Sequence, residues 1–302
     1  MTNHLVLAVP GWKLSPLHAA SREQLIVLCL QRGVNLTIMP EFSSGIDLAR
    51  NITVAKFRQL EDPRPDDVLA MVDSDLAFDP ASVFAVLDAL SQGLEVVGAL
   101  YPKKVVDYAG AARASKAGVP DAELKFHAGA LVGGAAAGSR RGHTSADGKH
   151  RFVSADKLGT GFLFMRRDAL EKFIAFHVKR VEHHSHWEPK GPQHLVFFSE
   201  PMGARQQARD ALLATVLRHA RQRASIDELM RDCYKYDAVM QEGQPLDAYQ
   251  TEDFSFTVRA KEAGIGCWMY LDASLAHQGT WVFEGSLSKM LAADQKAKEA
   301  AE

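Results

Sequence analysis

The sequence predicts an α/β fold: a mostly parallel sheet with helices on both faces, plus a helical insertion. Three observations carry this. Short apolar runs at 4–9, 34–39, 68–72 and 95–100 recur between segments of helical spacing. The run at 68–72 is apolar without alternation, as suits a strand covered on both faces. Strand and helix patterns alternate through the first hundred residues, which is the order of βαβ units.

Each element has a local reason. Pro10-Gly11 stops the first strand. Leu17, Leu25, Val27 and Leu28 lie at helical spacing in 16–30, and Arg32-Gly33 ends that helix. A second strand follows at 34–39, and Ser43-Ser44-Gly45 supplies turn and cap residues for a helix over about 46–60. Pro63-Arg64-Pro65 leads into the central strand, which runs directly into Asp73-Ser74-Asp75. Phe78-Asp79-Pro80 opens a helix to about 90, Gly93 closes it, and 95–100 is a fourth strand. Residues 101–150, rich in Gly and Ala, predict loops and irregular strands. Strands at 151–155 and 161–165 and a helix at 168–176 come next.

The stretch 177–248 reads as an insertion. It holds His183, His184 and His186 beside Trp187 and Glu188, where a flexible loop competes with a second metal site. An amphipathic helix over about 204–223 places Leu212, Val216 and Ala220 on one stripe, with Arg205, Arg209, Arg218 and Arg221 largely off it. Thr251 caps a helix through 263, Gly264 stops it, 266–271 is a strand, and 286–302 is a polar, Ala-rich helical tail.

Composition narrows the function classes. An apolar share of 47% with 24% charged residues is that of a soluble globular chain. A net charge of −2 offers no global attraction to nucleic acid or anionic membrane. Cys29, Cys233 and Cys267 are odd in number and widely spaced, so neither a disulfide framework nor a zinc site follows. No segment reaches the ~18 apolar residues of a transmembrane helix. The apolar stretch 5–9 lacks a basic leader, and a cytoplasmic location is expected.

Asp73 and Asp75 carry the sharpest chemical signal. Period-2 geometry would point both the same way at the carboxyl end of a buried strand, where open α/β sheets bind ligands. Two carboxylates held together repel unless a cation sits between them, and a divalent metal with oxygen ligands is the natural occupant. The competing reading is a helix cap followed by a solvated acid. Glu252 and Asp253 begin a capped helix, where the macrodipole alone would favour carboxylates. His277 is an isolated imidazole suited to manganese beside carboxylates. Gly159-Thr160-Gly161 precedes a strand and allows close backbone approach. Arg50 could meet a phosphate, and Lys103 could offset phosphate charge, although exposed helix faces and surface lysines commonly do neither.

Taken together and in this order, Ala49-Arg50-Asn51, Met71-Val72-Asp73-Ser74-Asp75, Tyr101-Pro102-Lys103-Lys104, Gly159-Thr160-Gly161-Phe162, Glu252-Asp253-Phe254-Ser255-Phe256 and His277-Gln278-Gly279 resemble glycosyltransferases of the GT-A fold, close to bacterial and phage family-2-like members. The resemblance spans about residues 4–285. It implies a Rossmann-like catalytic domain over 1–285, with a nucleotide-binding part at 1–105 and an acceptor and metal part at 106–285. Asp75 would bind Mn2+ (or Mg2+) directly, Asp73 would touch the ribose or the metal through water, and His277 would complete the metal ligands. Pro10 and Glu41 would border the nucleobase, Arg50 would lie near the nucleotide, and Gly159, Thr160 and Gly161 would face the donor sugar. Asp253, with Glu252 beside it, would sit where an inverting member keeps its general base. The implied reaction moves a sugar from a nucleotide-diphosphate sugar, UDP- or GDP-linked, to a hydroxyl of a glycan, lipid, protein or modified DNA. Inverting and retaining outcomes both stay open. The 177–248 stretch departs from the family pattern. Two alternatives stand beside this reading: a nucleotidyltransferase, poorly matched by Pro10-Gly11-Trp12-Lys13 after the first strand, and a noncatalytic sugar-nucleotide-binding or scaffold protein.

Overall fold

The computed structural model describes residues 4–279 apart from 12, 43–44, 128, 136–141, 178–199, 202–248 and 251, and then 282–285 and 288. The elements in chain order are β1 (His4–Pro10), α1 (Pro16–Arg32), β2 (Asn35–Glu41), α2 (Ile46–Arg58), β3 (Val68–Val72), β4 (Leu76–Phe78), α3 (Pro80–Ser91), β5 (Val96–Ala99) and β6 (Tyr101–Val106). They continue with α4 (Tyr108–Lys116), α5 (Asp121–His127), β7 (Gly129–Val132), β8 (Gly134–Ala135), β9 (Gly142–Thr144), β10 (Arg151–Lys157), β11 (Phe162–Arg166) and α6 (Arg167–Phe176). Last come β12 (Glu200–Pro201), β13 (Tyr249–Gln250), α7 (Glu252–Glu262), β14 (Cys267–Tyr270), β15 (Leu275–Gln278) and β16 (Val282–Gly285).

A nine-stranded sheet runs β2-β1-β3-β11-β5-β14-β10-β8, with β9 on β10. Strands β2, β1 and β3 are mutually parallel, as are β5 and β14. Antiparallel β11 sits between β3 and β5, and antiparallel β10 lies beyond β14. The strands are thus mostly codirectional, and the fold is of the Rossmann-like α/β type. Along β3, Val68, Ala70 and Val72 enter the core under α1 and α3, while Leu69 and Met71 enter the opposite core under α2, α6 and α7. Both faces of the central strand are therefore covered, which is why its sequence shows no alternation. Full burial of each Val, Leu or Met among these contributes about 1.5–3 kcal/mol.

Local capping sets the helix ends. The Ser15 side chain accepts from the His18 N–H, and Gly33 closes α1 in the left-handed conformation at φ 67°. Asp79 caps α3, accepting from the Ala81 N–H. The Arg167 guanidinium, buried on α6, reaches Asp67 at 3.3 Å and donates to the Phe57 carbonyl at 2.8 Å. That clamp ties α6, the end of α2 and the entry to β3 together.

Several expectations change. Residues 101–150 hold two short helices, α4 and α5, as well as strands. Helix α4 buries only Ala114 and, after Tyr108, is built from Ala, Gly and polar residues, so it shows no stripe of large apolar side chains; its start is set by the Asp107 side chain accepting from the Gly110 N–H. The strand expected at 161–165 exists as β11, but it enters the sheet antiparallel. The histidine cluster, the arginine-bearing helix at 204–223 and the Thr251 cap fall outside the described residues, as does the 286–302 tail apart from residue 288. No described helix is long and apolar enough to cross a membrane.

Candidate functional site

Where β1 and β3 end, the chain turns rather than continuing straight. Strand β3 stops at Val72, and the Leu76 N–H returns to the Asp73 carbonyl at 3.0 Å, so Asp73-Ser74-Asp75 forms a turn. The strand alternation expected to align the two carboxylates therefore does not operate, and they diverge. Asp73 Oδ1 accepts from Arg50 at 3.0 Å. Asp75 Oδ1 lies 3.1 Å from His277 Nε2, and its Oδ2 accepts from Lys104.

The turn is held from behind by α1. The Ser15 N–H donates to the Ser74 carbonyl at 2.9 Å, His18 Nδ1–H donates to the Leu76 carbonyl at 2.9 Å, and the Phe78 N–H donates to Ser21 Oγ at 3.0 Å. Burial keeps His18 below its ordinary pKa, so the ring stays neutral and donates from one nitrogen. From the other side, β15 pairs antiparallel with β4, setting His277 opposite Leu76. The Gln278 N–H closes on the Asp75 carbonyl at 2.8 Å. A residue two hundred positions away is thus fixed against the acidic turn by a sheet ladder.

These groups border a cavity of about 630 Å3. Pro10, Ile46, Tyr101 and Val132 form apolar walls, and Lys13, Arg50, Lys103 and Lys104 bring four cationic side chains against the two carboxylates Asp73 and Asp75. A concave site with that charge balance favours a polyanionic ligand. Arg50 is only 2% exposed, so it lies in no solvated helix face.

The Asp75–His277 pair is the informative contact. His277 Nδ1 lies 2.8 Å from the Pro102 carbonyl oxygen and must carry a proton there. Its Nε2 then meets Asp75 either as the second N–H of an imidazolium or with a lone pair that needs a cation between the two. The 3.1 Å separation is also that of adjacent ligands around an octahedral ion with bonds of ~2.1 Å, which lie ~3.0 Å apart. A carbonyl fixing the far nitrogen is the usual support of a metal-binding imidazole. Asp75 and His277 thus fit a divalent cation as two of its ligands. Among the described residues, no group of three His, Cys, Asp or Glu side chains is close enough to hold a metal, because Asp73 faces Arg50. Burial pushes the Asp75 carboxyl up, but the His277 and Lys104 contacts outweigh it and bring its pKa down to about 2.

No protein-family model and no curated protein matches the sequence. Among solved structures, the fold is similar to the crystal structure of A197 from STIV, at a TM-score of 0.41 and 11% identity over 94% of each chain. At that TM-score the likeness carries no functional weight, so the site's own chemistry must.

The remaining predicted residues are placed as follows. Pro10 lines the cavity at the end of β1. Glu41 is its backbone neighbour on β2, accepting from the Gly11 N–H at 3.0 Å, but its carboxylate is occupied by Lys56 at 2.5 Å. Gly159 and Gly161 pack beneath Tyr101: a Cβ on Gly159 would fall 2.7 Å from that ring, and one on Gly161 2.7 Å from the ring and 2.9 Å from Asp73 Oδ2. Thr160 between them is fully buried. Glu252 and Asp253 lie on the first turn of α7, and their side chains are outside the described part of the structure. Sequence reasoning missed Tyr101 as a site wall. Its ring stands edge-on to His277 with centroids 5.7 Å apart, so it fixes that imidazole and explains both glycines. The signal available was its place at the end of an apolar run, directly before Pro102-Lys103-Lys104.

Proposed function

We propose that this protein is a metal-dependent glycosyltransferase that moves a sugar from a nucleotide-diphosphate sugar to an acceptor hydroxyl. The observation that supports this best is the Asp75–His277 pair, spaced as neighbouring ligands of one ion, beside four cationic side chains in one cavity. A bound Mn2+ or Mg2+ would neutralise the negative charge that develops on the departing diphosphate. One carboxylate and one imidazole make Mn2+ the better match, with remaining positions left to water and the diphosphate.

The chain's own residues divide the rest of the work. Lys13, Lys103 and Lys104 attract and orient the diphosphate. Arg50 holds the Asp73 carboxylate toward the cavity, where it is suited to accept from the ribose hydroxyls. Pro10 and Ile46 offer an apolar surface for the base. Asp253, with Glu252 beside it, is assigned the removal of the acceptor proton, an effect of roughly 10²–10⁴ in rate.

A thermal-shift screen of UDP-, GDP-, CMP- and dTDP-sugars, with and without Mn2+, tests the reading, since a ligand that binds the folded state raises its stability by mass action. One donor should stabilise the protein only with metal, and Asp75→Ala should remove both that shift and transfer. Asp253→Asn should leave a slow residual rate. Full transfer by Asp75→Ala would remove the metal from the mechanism.

A further inference from the structure

Both oxygens of Asp75 are engaged, one facing His277 and the other accepting from Lys104 on β6. Lys104 therefore holds the positive charge that a divalent ion would bring to the same carboxylate. An ammonium on Oδ2 and a dication on Oδ1 would stand close enough to repel each other across one carboxylate, which weakens metal binding. Lys104 is 41% exposed in this pair, sits on a strand whose outer residues face solvent, and ends a flexible stem that can swing. Lys13, Lys103 and Arg50 surround the same cavity, so an ammonium displaced from Asp75 moves into cationic surroundings. The other carboxylate of the cavity, Asp73, already accepts from Arg50, so an anion in the cavity is the counter-charge that best replaces Asp75.

We propose that Lys104 is a positioning residue that latches Asp75 against divalent metal until a nucleotide diphosphate arrives to accept its charge. This rests on the glycosyltransferase reading and specifies how its site fills: metal and diphosphate bind together, each raising the affinity for the other. Coupling between sites is reciprocal and commonly amounts to about 5–150-fold in affinity. The latch keeps the empty site from holding a metal that would stabilise no leaving group.

The test is a Mn2+ titration followed by electron paramagnetic resonance of the free ion, on wild type, Lys104→Met, Lys104→Arg and Asp75→Ala. Each is measured alone and with whichever of UDP or GDP stabilises the wild type. Without nucleotide, Lys104→Met should bind Mn2+ about tenfold more tightly than wild type, an effect within the usual coupling range. Its further gain on adding nucleotide should shrink by a similar factor. Lys104→Arg, which keeps the charge, should stay as weak as wild type without nucleotide, and so separates charge from packing. If wild type binds Mn2+ below the detection limit, binding should become measurable in Lys104→Met. Equal or weaker Mn2+ affinity in Lys104→Met, with Asp75→Ala abolishing binding, overturns the latch and leaves the metal site standing. Undiminished Mn2+ binding by Asp75→Ala overturns the metal assignment itself, and the latch with it.

Discussion

Gly161→Ala isolates the packing that holds the acidic turn. A Cβ at this position would stand 2.7 Å from Tyr101 Cζ and 2.9 Å from Asp73 Oδ2. Comfortable carbon contacts lie near 3.5–4.0 Å, so roughly 1 Å of movement is demanded of the ring or the turn. Neither has room to give it. Tyr101 is 4% exposed, with Gly159 against it and His277 at its edge, while Asp73 is held by Arg50. Overpacking of this kind costs about 1–3 kcal/mol, which lowers the melting temperature by roughly 2–5 °C in a chain this long. The same displacement moves Asp73 and His277 by a fraction of an ångström to 1 Å, enough for about 10²-fold in a reaction that depends on position. Thermal melting, with and without Mn2+ and donor, reads the first effect and ligand binding, and a transfer assay reads the second. Gly142→Ala is the control, since its nearest neighbour is 3.9 Å away. If Gly161→Ala melts like Gly142→Ala and responds normally to donor and metal, the cradle of Tyr101 and Asp73 on this glycine is refuted.

Further predictions concern the scaffold. Arg167→Met strips a buried partner from Asp67, whose side chain is 3% exposed, and should cost about 3 kcal/mol in urea denaturation. The low end of the usual range applies because the Arg64 N–H still donates to Asp67 at 2.9 Å. Adding Asp67→Leu should recover part of the loss, and a double variant no better than the single one would refute the charge argument. His18 is held below its ordinary pKa of 6.5, so the unfolded chain takes up a proton near that pH while the folded chain does not. Its contribution is intact above about pH 6.5 and is lost as pH falls through that value toward the folded pKa. Stability measured across pH 7 to 5 should therefore decline, and the slope should flatten in His18→Asn. Asp75, at about 2 when folded against 3.8 ordinarily, should contribute stability above pH 3.8 that disappears between 3.8 and 2. Asp75→Asn should show no such loss in acid denaturation.

Composition and periodicity determined much of this protein. The apolar runs that became β1, β3 and β5, the Ser15 and Asp79 caps and the Gly33 stop are local properties, because propensity, capping and two-sided burial act within a few residues. Chemistry-bearing residue types were legible too: Arg50, Asp73, Asp75, Lys103 and His277 were all singled out as candidates, and they border one cavity. Tertiary structure alone decided how they meet. The turn after Val72 separates the carboxylates that strand alternation would have aligned, because the chain reverses into β4 and α1 holds it there through Ser15, His18 and Ser21. The antiparallel entry of β11 and the β15–β4 ladder depend on contacts between distant segments, and it is that ladder which carries His277 to Asp75. Tyr101 and Lys104 acquire their roles only there, since an aromatic wall or an ion pair exists only where separate parts of the chain have been packed within reach of each other.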